Sequence, residues 1–208
     1  MAANTWGTKR SGFSLSYANG VGKLGNKLYI SGGYEFEFGP PLDETRIRAS
    51  VYAYDPARDL LIRKRDMPRA TAEGVSGVID GKLYVLAGAC LAPEGLVVCR
   101  SLYRYDPGTN AWTTLAPAPR SHRGGAGGVI AGKFYVAGGV NGTRLDVYDP
   151  VTNKWTARAP LPQARGSVAG TVLGSRLYVI GGTGPSGHRI VFAYNPGTNT
   201  WTARAPLN

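Results

Sequence analysis

Residues 132–139 read Gly-Lys-Phe-Tyr-Val-Ala-Gly-Gly, and residues 148–155 read Tyr-Asp-Pro-Val-Thr-Asn-Lys-Trp. The first stretch is an apolar strand-like segment that ends in a glycine pair. In the second stretch, proline presets the backbone for a turn and the aspartate side chain caps it, so we expect a strand to end there.

The apolar stretch recurs along the chain, at 25–30, 81–85 and 174–179. Three of the four copies lead into a glycine pair, whereas the second copy has Gly88 and Ala89. The glycine pairs are Gly32 and Gly33, Gly138 and Gly139, and Gly181 and Gly182. Self-similarity at such a period is the signature of a repeat architecture.

The turn stretch recurs too, and in three copies a tryptophan follows the tyrosine by seven positions. These tryptophans are Trp112, Trp155 and Trp201. In the first copy, Leu61 stands at the tryptophan position. Because the tryptophans recur once per repeat, we expect them to pack between repeats rather than to stack on nucleic-acid bases.

Side chains alternate before the turns, as at Tyr103 and Tyr105, which is the pattern of a half-buried strand. The segments 124–130 and 166–173 are small and apolar, which suits strands that converge on a crowded axis. Each repeat of roughly 43 to 51 residues is therefore predicted to form four antiparallel strands, running from inside to outside.

These repeats resemble the Kelch repeat. The residues that carry the resemblance are the glycine pairs, the Tyr-Asp-Pro-x-Thr-Asn-x-Trp segments and the arginines before each inner strand. The resemblance covers nearly the whole chain and implies an all-β fold, a β-propeller of four-stranded antiparallel blades around a channel. Leu61 and Ala89 are its two departures.

Kelch propellers more often have six or seven blades, so four repeats predict an incomplete ring or a fragment of a larger one. A compact four-blade ring is the alternative, and an open arc could also associate with a second copy through its exposed strand edges. Residues 4–6 resemble residues 199–201. Within a single propeller domain, 1–208, we assign 1–10 to the outer strand of a preceding blade, and 11–67, 68–118, 119–162 and 163–208 to four blades.

Composition agrees with this fold. Glycine makes up 30 of the 208 residues, about twice the average share of ~7%. Glycine and the 14 prolines weaken helices, which argues against a helical bundle. The hydrophobic fraction of 43% suffices for a core and excludes a disordered or collagenous chain.

The formal net charge is +11, which suits nucleic acid, acidic glycans or anionic surfaces as partners. No run of five or six like charges occurs, so we expect a solvated basic surface and regard nucleic acid as an unfavoured partner. No apolar stretch of ~18 residues predicts a membrane span. The first residues lack the apolar core of a signal peptide, so we expect a cytoplasmic location, or an extracytoplasmic one if the chain is part of a longer exported protein.

Chemistry-bearing motifs are few. His122 and His188 are the only histidines, which excludes a metal site built from several histidines, and no cofactor is predicted. Cys90 and Cys99 lack zinc spacing and either close a small disulfide loop or remain reduced.

Residues 182–187 match Gly-x-Gly-x-x-Gly, but a strand-like segment follows where nucleotide binding needs a helix, so we interpret them as a turn. The glycosylation sequence at 141–143 is also a hairpin turn signal.

Arginines precede the inner strands. Connections from outer to inner strands lie on the same face as those after each glycine pair, so these arginines should ring one mouth of the channel. Arginine forks suit carboxylates and phosphates, and by analogy such arginines contact acidic peptides in some Kelch domains. The alternative is that each arginine braces a neighbouring loop. The candidates are Arg10, Arg69, Arg120, Arg123 and Arg165.

The longest loop, 34–50, should lie on the same face. Tyr34, Glu35 and Phe36 begin it and are candidate contact residues, or they cover the weaker first blade. The sequence thus predicts a non-enzymatic scaffold that binds a protein or an acidic ligand. An enzyme acting on a sugar or small acid, with His122 or Glu73 as acid–base candidates, is the alternative, and a binder of nucleic acid or anionic surfaces comes third.

Overall fold

The computed structural model describes residues 15–17, 20–36, 47–140, 142–185 and 187–208, with the backbone alone for 15–17 and 35–36. The predicted outer strand at 1–10, with Trp6 and Arg10, lies outside the described residues, as does most of the long loop (37–46). No helix in the described ranges is long and apolar enough to cross a membrane.

The described residues form 21 strands. In chain order they are β1 (Leu15–Tyr17), β2 (Gly20–Leu24), β3 (Lys27–Ser31), β4 (Tyr34–Phe36), β5 (Val51–Asp55), β6 (Leu60–Lys64), β7 (Thr71–Ala72), β8 (Val75–Ile79), β9 (Lys82–Leu86), β10 (Ala89–Ala92), β11 (Gly95–Val98), β12 (Leu102–Asp106), β13 (Ala111–Leu115), β14 (Ala126–Ile130), β15 (Lys133–Ala137), β16 (Leu145–Asp149), β17 (Lys154–Arg158), β18 (Ala169–Leu173), β19 (Arg176–Ile180), β20 (Val191–Asn195) and β21 (Thr200–Arg204).

Sixteen of these strands make four antiparallel four-stranded sheets, one for each repeat. From inside to outside, blade 1 is β2-β3-β5-β6, blade 2 is β8-β9-β12-β13, blade 3 is β14 to β17 and blade 4 is β18 to β21. The inner strands pack side by side in the order β2, β8, β14, β18. This arrangement confirms the predicted fold of propeller blades.

Small residues are needed where the inner strands meet. A β-carbon built on Gly170 in β18 would lie 2.6 Å from the β-carbon of Ala126 in β14. One built on Gly127 would lie 2.6 Å from the carbonyl oxygen of Tyr135. Both distances are too short for real side chains, so glycine at these two positions lets β18 lie close to β14 and lets β14 lie close to β15.

The described blades form an arc rather than a closed ring. Strand β18 does not pack against β2 as the other inner strands pack against their neighbours. Four of the five residues of β18 are exposed, and Leu173 at its end is 69% exposed. The prediction of an incomplete ring agrees with this arrangement, and the compact four-blade ring is not formed. Association with a second copy stays a prediction.

Two small sheets, which the repeats did not predict, lie on the face of the outer-to-inner connections. Strands β1 and β4 pair antiparallel. Strands β11, β10 and β7 form a three-stranded sheet in that order. Strand β7 belongs to the connection into blade 2, and β10 and β11 form a hairpin between the second and third strands of that blade.

A clasp made of one asparagine and one tryptophan joins each later blade to the blade before it. In blade 3, Trp155 Nε1 donates to the carbonyl oxygen of Ala116 at 2.8 Å, and the backbone N–H of Ala116 donates to Asn153 Oδ1 at 3.0 Å. Tyr148 Oη also donates to Asn153 Oδ1, at 2.8 Å. Both backbone polar groups of one residue, at the exit of blade 2, are thus satisfied by blade 3.

The same clasp occurs in blades 2 and 4. Asn110 and Trp112 hold Arg65, and Asn199 and Trp201 hold Ala159. Each tryptophan ring also packs against the tyrosine of its own repeat, with centroids 5.1–5.2 Å apart. In blade 1, Asp59 replaces the asparagine and Leu61 the tryptophan, while Tyr54 Oη still donates to Asp59 Oδ1 at 2.8 Å.

Replacing Asn153 by glycine should lower the free energy of unfolding by about 1–3 kcal/mol, because two buried or half-buried donors lose their acceptor. Glycine keeps the left-handed backbone that Asn153 adopts at φ 54°, so the change reports on the hydrogen bonds. Chemical denaturation would measure the loss. The matched control is Ala131→Gly, since Ala131 also has a positive φ (48°) and its methyl group makes no hydrogen bond. An equal loss in both variants would contradict the role of the clasp.

Candidate functional site

One face of the arc is built from two kinds of connection, as the strand order predicted. Gly139 N donates to the carbonyl oxygen of Arg165 at 2.8 Å, and Val140 N donates to that of Arg123 at 2.9 Å. A β-carbon on Gly138 would lie 2.7 Å from the Arg165 carbonyl oxygen, and one on Gly139 would lie 2.9 Å from the α-carbon of His122. The glycine pair therefore lets the segments that enter blades 3 and 4 lie directly against this corner.

A cavity of about 530 Å³ opens on this face between blades 2 and 3. We call it the arginine pocket, because three arginines line it from three different connections. Its lining residues are Val98, Arg100, Pro119, Arg120, Ser121, Gly138, Val140, Gly142 and Arg144. Val98 and Val140 are 61% and 60% exposed and give the cavity an apolar rim.

The three arginines differ in how they are engaged. Arg100 is exposed, and its Nη1 donates to the carbonyl oxygen of Pro119 at 3.0 Å. Arg144 forms a two-point contact with Asp146, with donor–acceptor distances of 3.1 and 2.8 Å. Arg120 is exposed, and no group in the described part of the chain forms a hydrogen bond or an ion pair with its guanidinium. The pocket therefore presents a guanidinium whose donors are available to a ligand.

The other predicted arginines that the structure describes contact groups of neighbouring connections, and Arg10 lies outside the described residues. Arg69 Nε donates to the carbonyl oxygen of Leu91 at 2.9 Å. Arg123 contacts both oxygens of Glu73 at 2.8 Å. Arg165 is 1% exposed, and its Nη1 donates to the carbonyl oxygens of Gly181 at 3.2 Å and Gly187 at 2.5 Å. These contacts match the bracing alternative, and of the predicted arginines that the structure describes, Arg120 is the one whose side chain makes no hydrogen bond or ion pair with a described residue.

Glu73 stands at the centre of a bracing network. Tyr34 Oη donates to Glu73 Oε1 at 2.7 Å, from the connection of blade 1, while Arg123 binds the same carboxylate from the entry to blade 3. The Arg123 guanidinium holds the pKa of Glu73 below its usual range, against the opposing effect of burial. Glu73, an acid–base candidate, is thus an ionised structural carboxylate, and Tyr34 is buried against it.

His122, the other acid–base candidate, is buried beneath the pocket. It is 1% exposed, with Nδ1 2.8 Å from the carbonyl oxygen of Gly138 and Nε2 3.0 Å from Asp146 Oδ2. Both ring nitrogens are therefore engaged by oxygen atoms of the protein. Neither nitrogen is directed at the cavity as a free catalytic group.

Asp146 couples His122 to the pocket. Burial raises the pKa of its carboxyl, but the hydrogen bonds from His122 and Arg144 outweigh that effect and hold the pKa below its usual range. Asp146 is fully buried, and the hydrogen bonds from His122 and Arg144 favour its ionised form. The same carboxylate positions the guanidinium of Arg144 in the pocket wall.

The hairpin of β10 and β11 forms the other wall. Cys90 and Cys99 are joined by a disulfide and are both buried. They pack with Ala87 and Tyr103, and this cluster anchors the hairpin to blade 2. Val98 and Arg100 are the sequence neighbours of Cys99, so the anchored hairpin places both at the pocket.

Sequence reasoning missed Arg100 and Arg144. A signal for them exists, because an arginine stands within three positions before the third strand of every blade: Arg48, Arg100, Arg144 and Arg189. The side chains of Glu35 and Phe36, and Asn141 of the glycosylation sequence, lie outside the described residues. Across the part of the chain that is described, no group of three or more His, Cys, Asp or Glu side chains is placed to hold a metal ion.

Comparisons with known proteins identify related families. Two family models, both described as Kelch motif, match residues 122–162 with 164–208, and residues 70–119. Kelch-like ECH-associated protein 1A of Danio rerio is 35% identical over 114 residues, which is 54% of this chain and 17% of that protein. N-acetylneuraminate epimerase of Escherichia coli is 42% identical over 71 residues, 33% of this chain and 19% of the epimerase.

A solved structure of YjhT shares the fold. It superimposes with a TM-score of 0.77 at 22% identity, over 94% of this chain and 66% of that one. The chain spans less than a quarter of the length of the curated relatives it matches, at most 22%.

Replacing Asp146 by asparagine should lower the free energy of unfolding at neutral pH by about 1–3 kcal/mol, because the buried carboxylate that accepts hydrogen bonds from His122 and Arg144 is lost. The pKa of Asp146 is lowered on folding, so its stabilisation is present above the unfolded value of about 3.9 and is lost as the pH falls toward the folded value. The difference between wild type and D146N should therefore narrow as the solution is acidified below about pH 4.

Urea denaturation across this pH range would measure the difference. The control is Asp66→Asn, since Asp66 is an exposed partner of Arg63 and such pairs contribute about 1 kcal/mol or less. A D146N deficit that stays constant on acidification would contradict the assignment of Asp146 as an ionised buried group.

Proposed function

Since the chain belongs to the Kelch-motif family, we propose that it is a recognition scaffold whose arginine pocket binds an acidic group of a protein or other ligand. The observation that carries this proposal is the guanidinium of Arg120, which has no partner among the described residues and faces a cavity shared with Arg100 and Arg144. A guanidinium fork matches the geometry of a carboxylate or phosphate, and its hydrogen bonds to an anion are the strong, charge-assisted kind.

The surroundings of the pocket favour a macromolecular ligand. Large exposed apolar side chains, Val98 and Val140, flank the cationic centre, and protein interfaces commonly combine apolar contacts with arginine. One relative is named as an ECH-associated protein, which also supports a protein as the class of ligand. The basic net charge of +11 would speed association with an acidic partner.

A sugar acid is the second candidate, because one relative is an N-acetylneuraminate epimerase and a carboxylate would fit the same pocket. The enzymatic version is weaker, since His122 and Glu73 are both engaged in structural contacts. Conversion of N-acetylneuraminate by the purified chain, followed by NMR, would favour the enzyme; binding without conversion would favour the scaffold.

Replacing Arg120 by alanine should weaken binding of an acidic peptide by about tenfold or more, because one charge-assisted contact is worth about 1.5–3 kcal/mol. The probe is a fluorescein-labelled octapeptide of alternating glutamate and valine, followed by anisotropy at low and high salt. Because the described residues do not bind the Arg120 side chain, the variant should fold normally. Arg69 and Arg165 are unsuitable for this purpose, since their loss would disturb the loops they brace.

Arg204→Ala is the matched control, because Arg204 is exposed on the outer strand of blade 4 and its loss removes the same charge. It should change the affinity by about twofold at most. Equal weakening by both variants, or equal binding of a peptide with glutamine in place of glutamate, would show that the pocket is not the binding site.

A further inference from the structure

We propose that the free edge of β11 receives an extended acidic peptide as an added strand, which then runs across the arginine pocket. This inference rests on the proposed function. It adds that the ligand binds in an extended conformation and that its backbone pairs with the edge of β11. Strand addition to an exposed edge is a general mode of peptide recognition, in which the backbone supplies affinity and alternate side chains supply specificity.

The register of the hairpin shows which backbone groups are available. Cys99 N donates to the carbonyl oxygen of Gly88 at 3.0 Å, and β10 and β11 pair antiparallel with Cys90 opposite Val97. Hydrogen-bonded pairs alternate in such a ladder, so Val97 is bonded to β10 while Leu96 and Val98 direct their N–H and C=O groups to the opposite side. Strand β11 is the outermost of its sheet, and within the described ranges nothing accepts from or donates to those groups.

This edge lacks several of the features that protect exposed strand edges. Native proteins blunt such edges with very short strands, charged residues, prolines or bulges, and of these β11 has the short length of four residues. Strand β11 reads Gly-Leu-Val-Val, with no charge and no proline, and pairs with β10 without a bulge. Val98 is also 61% exposed. An unprotected apolar edge on a folded domain is a template for another strand.

The edge is held rigid, which favours binding. The disulfide between Cys90 and Cys99 closes the hairpin, Val97 packs against that cluster, and β10 is paired on its other side with β7. An incoming strand would therefore meet a backbone that is already ordered, and the entropy cost of binding would fall on the peptide alone.

The edge leads to the pocket. Val98 belongs to both, and Arg100 follows it by two residues. Arg120 lines the same cavity from the entry to blade 3. Side chains of an added strand would point to one face at every second residue, about 6.6 Å apart. Glutamate or aspartate at alternate positions would thus be directed at the guanidinium groups.

Charge argues for an acidic peptide rather than a second copy of the chain. Two copies paired through β11 would bring together two chains that each carry a formal net charge of +11. A net charge far from zero opposes self-association. An acidic peptide instead brings carboxylates to Arg100 and Arg120.

The test uses the glutamate–valine octapeptide and two analogues, one N-methylated on every valine and one on every glutamate. In an added strand, the N–H groups of alternate residues face β11, so one analogue should bind at least about tenfold more weakly and the other within about threefold of the parent peptide. The two analogues have the same composition and charge, so each controls for the other.

A second readout is amide hydrogen exchange. The peptide should slow exchange at Leu96 and Val98, whose N–H groups are free, and leave Val97 unchanged because its N–H is already bonded. Equal behaviour of the two analogues together with Arg120-dependent binding would overturn strand addition and leave the proposed function standing. Absence of binding, or binding that does not depend on Arg120, would overturn both.

Self-association gives a further outcome. If exchange at Leu96 and Val98 slows with rising protein concentration in the absence of peptide, the edge is occupied by a second copy and the proposal is wrong.

Discussion

The packing of the blades depends on two hydrogen bonds, in which side chains of one blade bind both backbone polar groups of one residue in the preceding blade. At Ala116, the N–H and the C=O are both bound by a side chain of the following blade, one by an asparagine and one by a tryptophan. This pair of contacts fixes the distance and the tilt of one sheet against another. The tyrosines add to it, since Tyr148 packs on Trp155 and, with its centroid 6.1 Å away, on Tyr84 of the preceding blade. Burial raises the pKa of Tyr148 to about 12, so its hydroxyl remains a donor to Asn153 at physiological pH.

The mouth of the arc follows from this spacing. Once the clasps set the spacing of the blades, the connections of neighbouring blades meet beside the glycine pairs. Arginines of one connection then reach hydrogen-bond acceptors on another. Most of these arginines donate hydrogen bonds to a carbonyl or carboxylate oxygen of the protein, as Arg165 and Arg123 do. Arg120 differs because its connection borders a cavity instead of a loop. Its exposed guanidinium makes no hydrogen bond or ion pair with the described residues, whereas the unpartnered Nε and Nη2 of Arg165 are buried.

The sequence predicted the blades well, because strand, turn and tryptophan signals are local and repeat. It could not separate bracing arginines from a free one, since that depends on what lies within reach in three dimensions. Arg123 meets Glu73, 50 residues earlier in the chain. Arg144 and Asp146 are two residues apart, yet their role depends on His122, which reaches Asp146 from the entry segment of the blade. Among the described residues, the hairpin of β10 and β11 has no counterpart in another repeat, so comparison among the repeats gave no signal for it.

The clasp also has a direction. The asparagine and tryptophan of a later blade hold a residue at the exit of the earlier one, and no described clasp runs the other way. A chain that emerges from the ribosome N-terminus first therefore completes each sheet before the residues that secure it have been synthesised. Every newly emerged tryptophan then finds a finished surface to dock on. Assembly can proceed as sequential growth from one end, with local contacts at each step, which is the behaviour expected of a fold whose units contact only their neighbours.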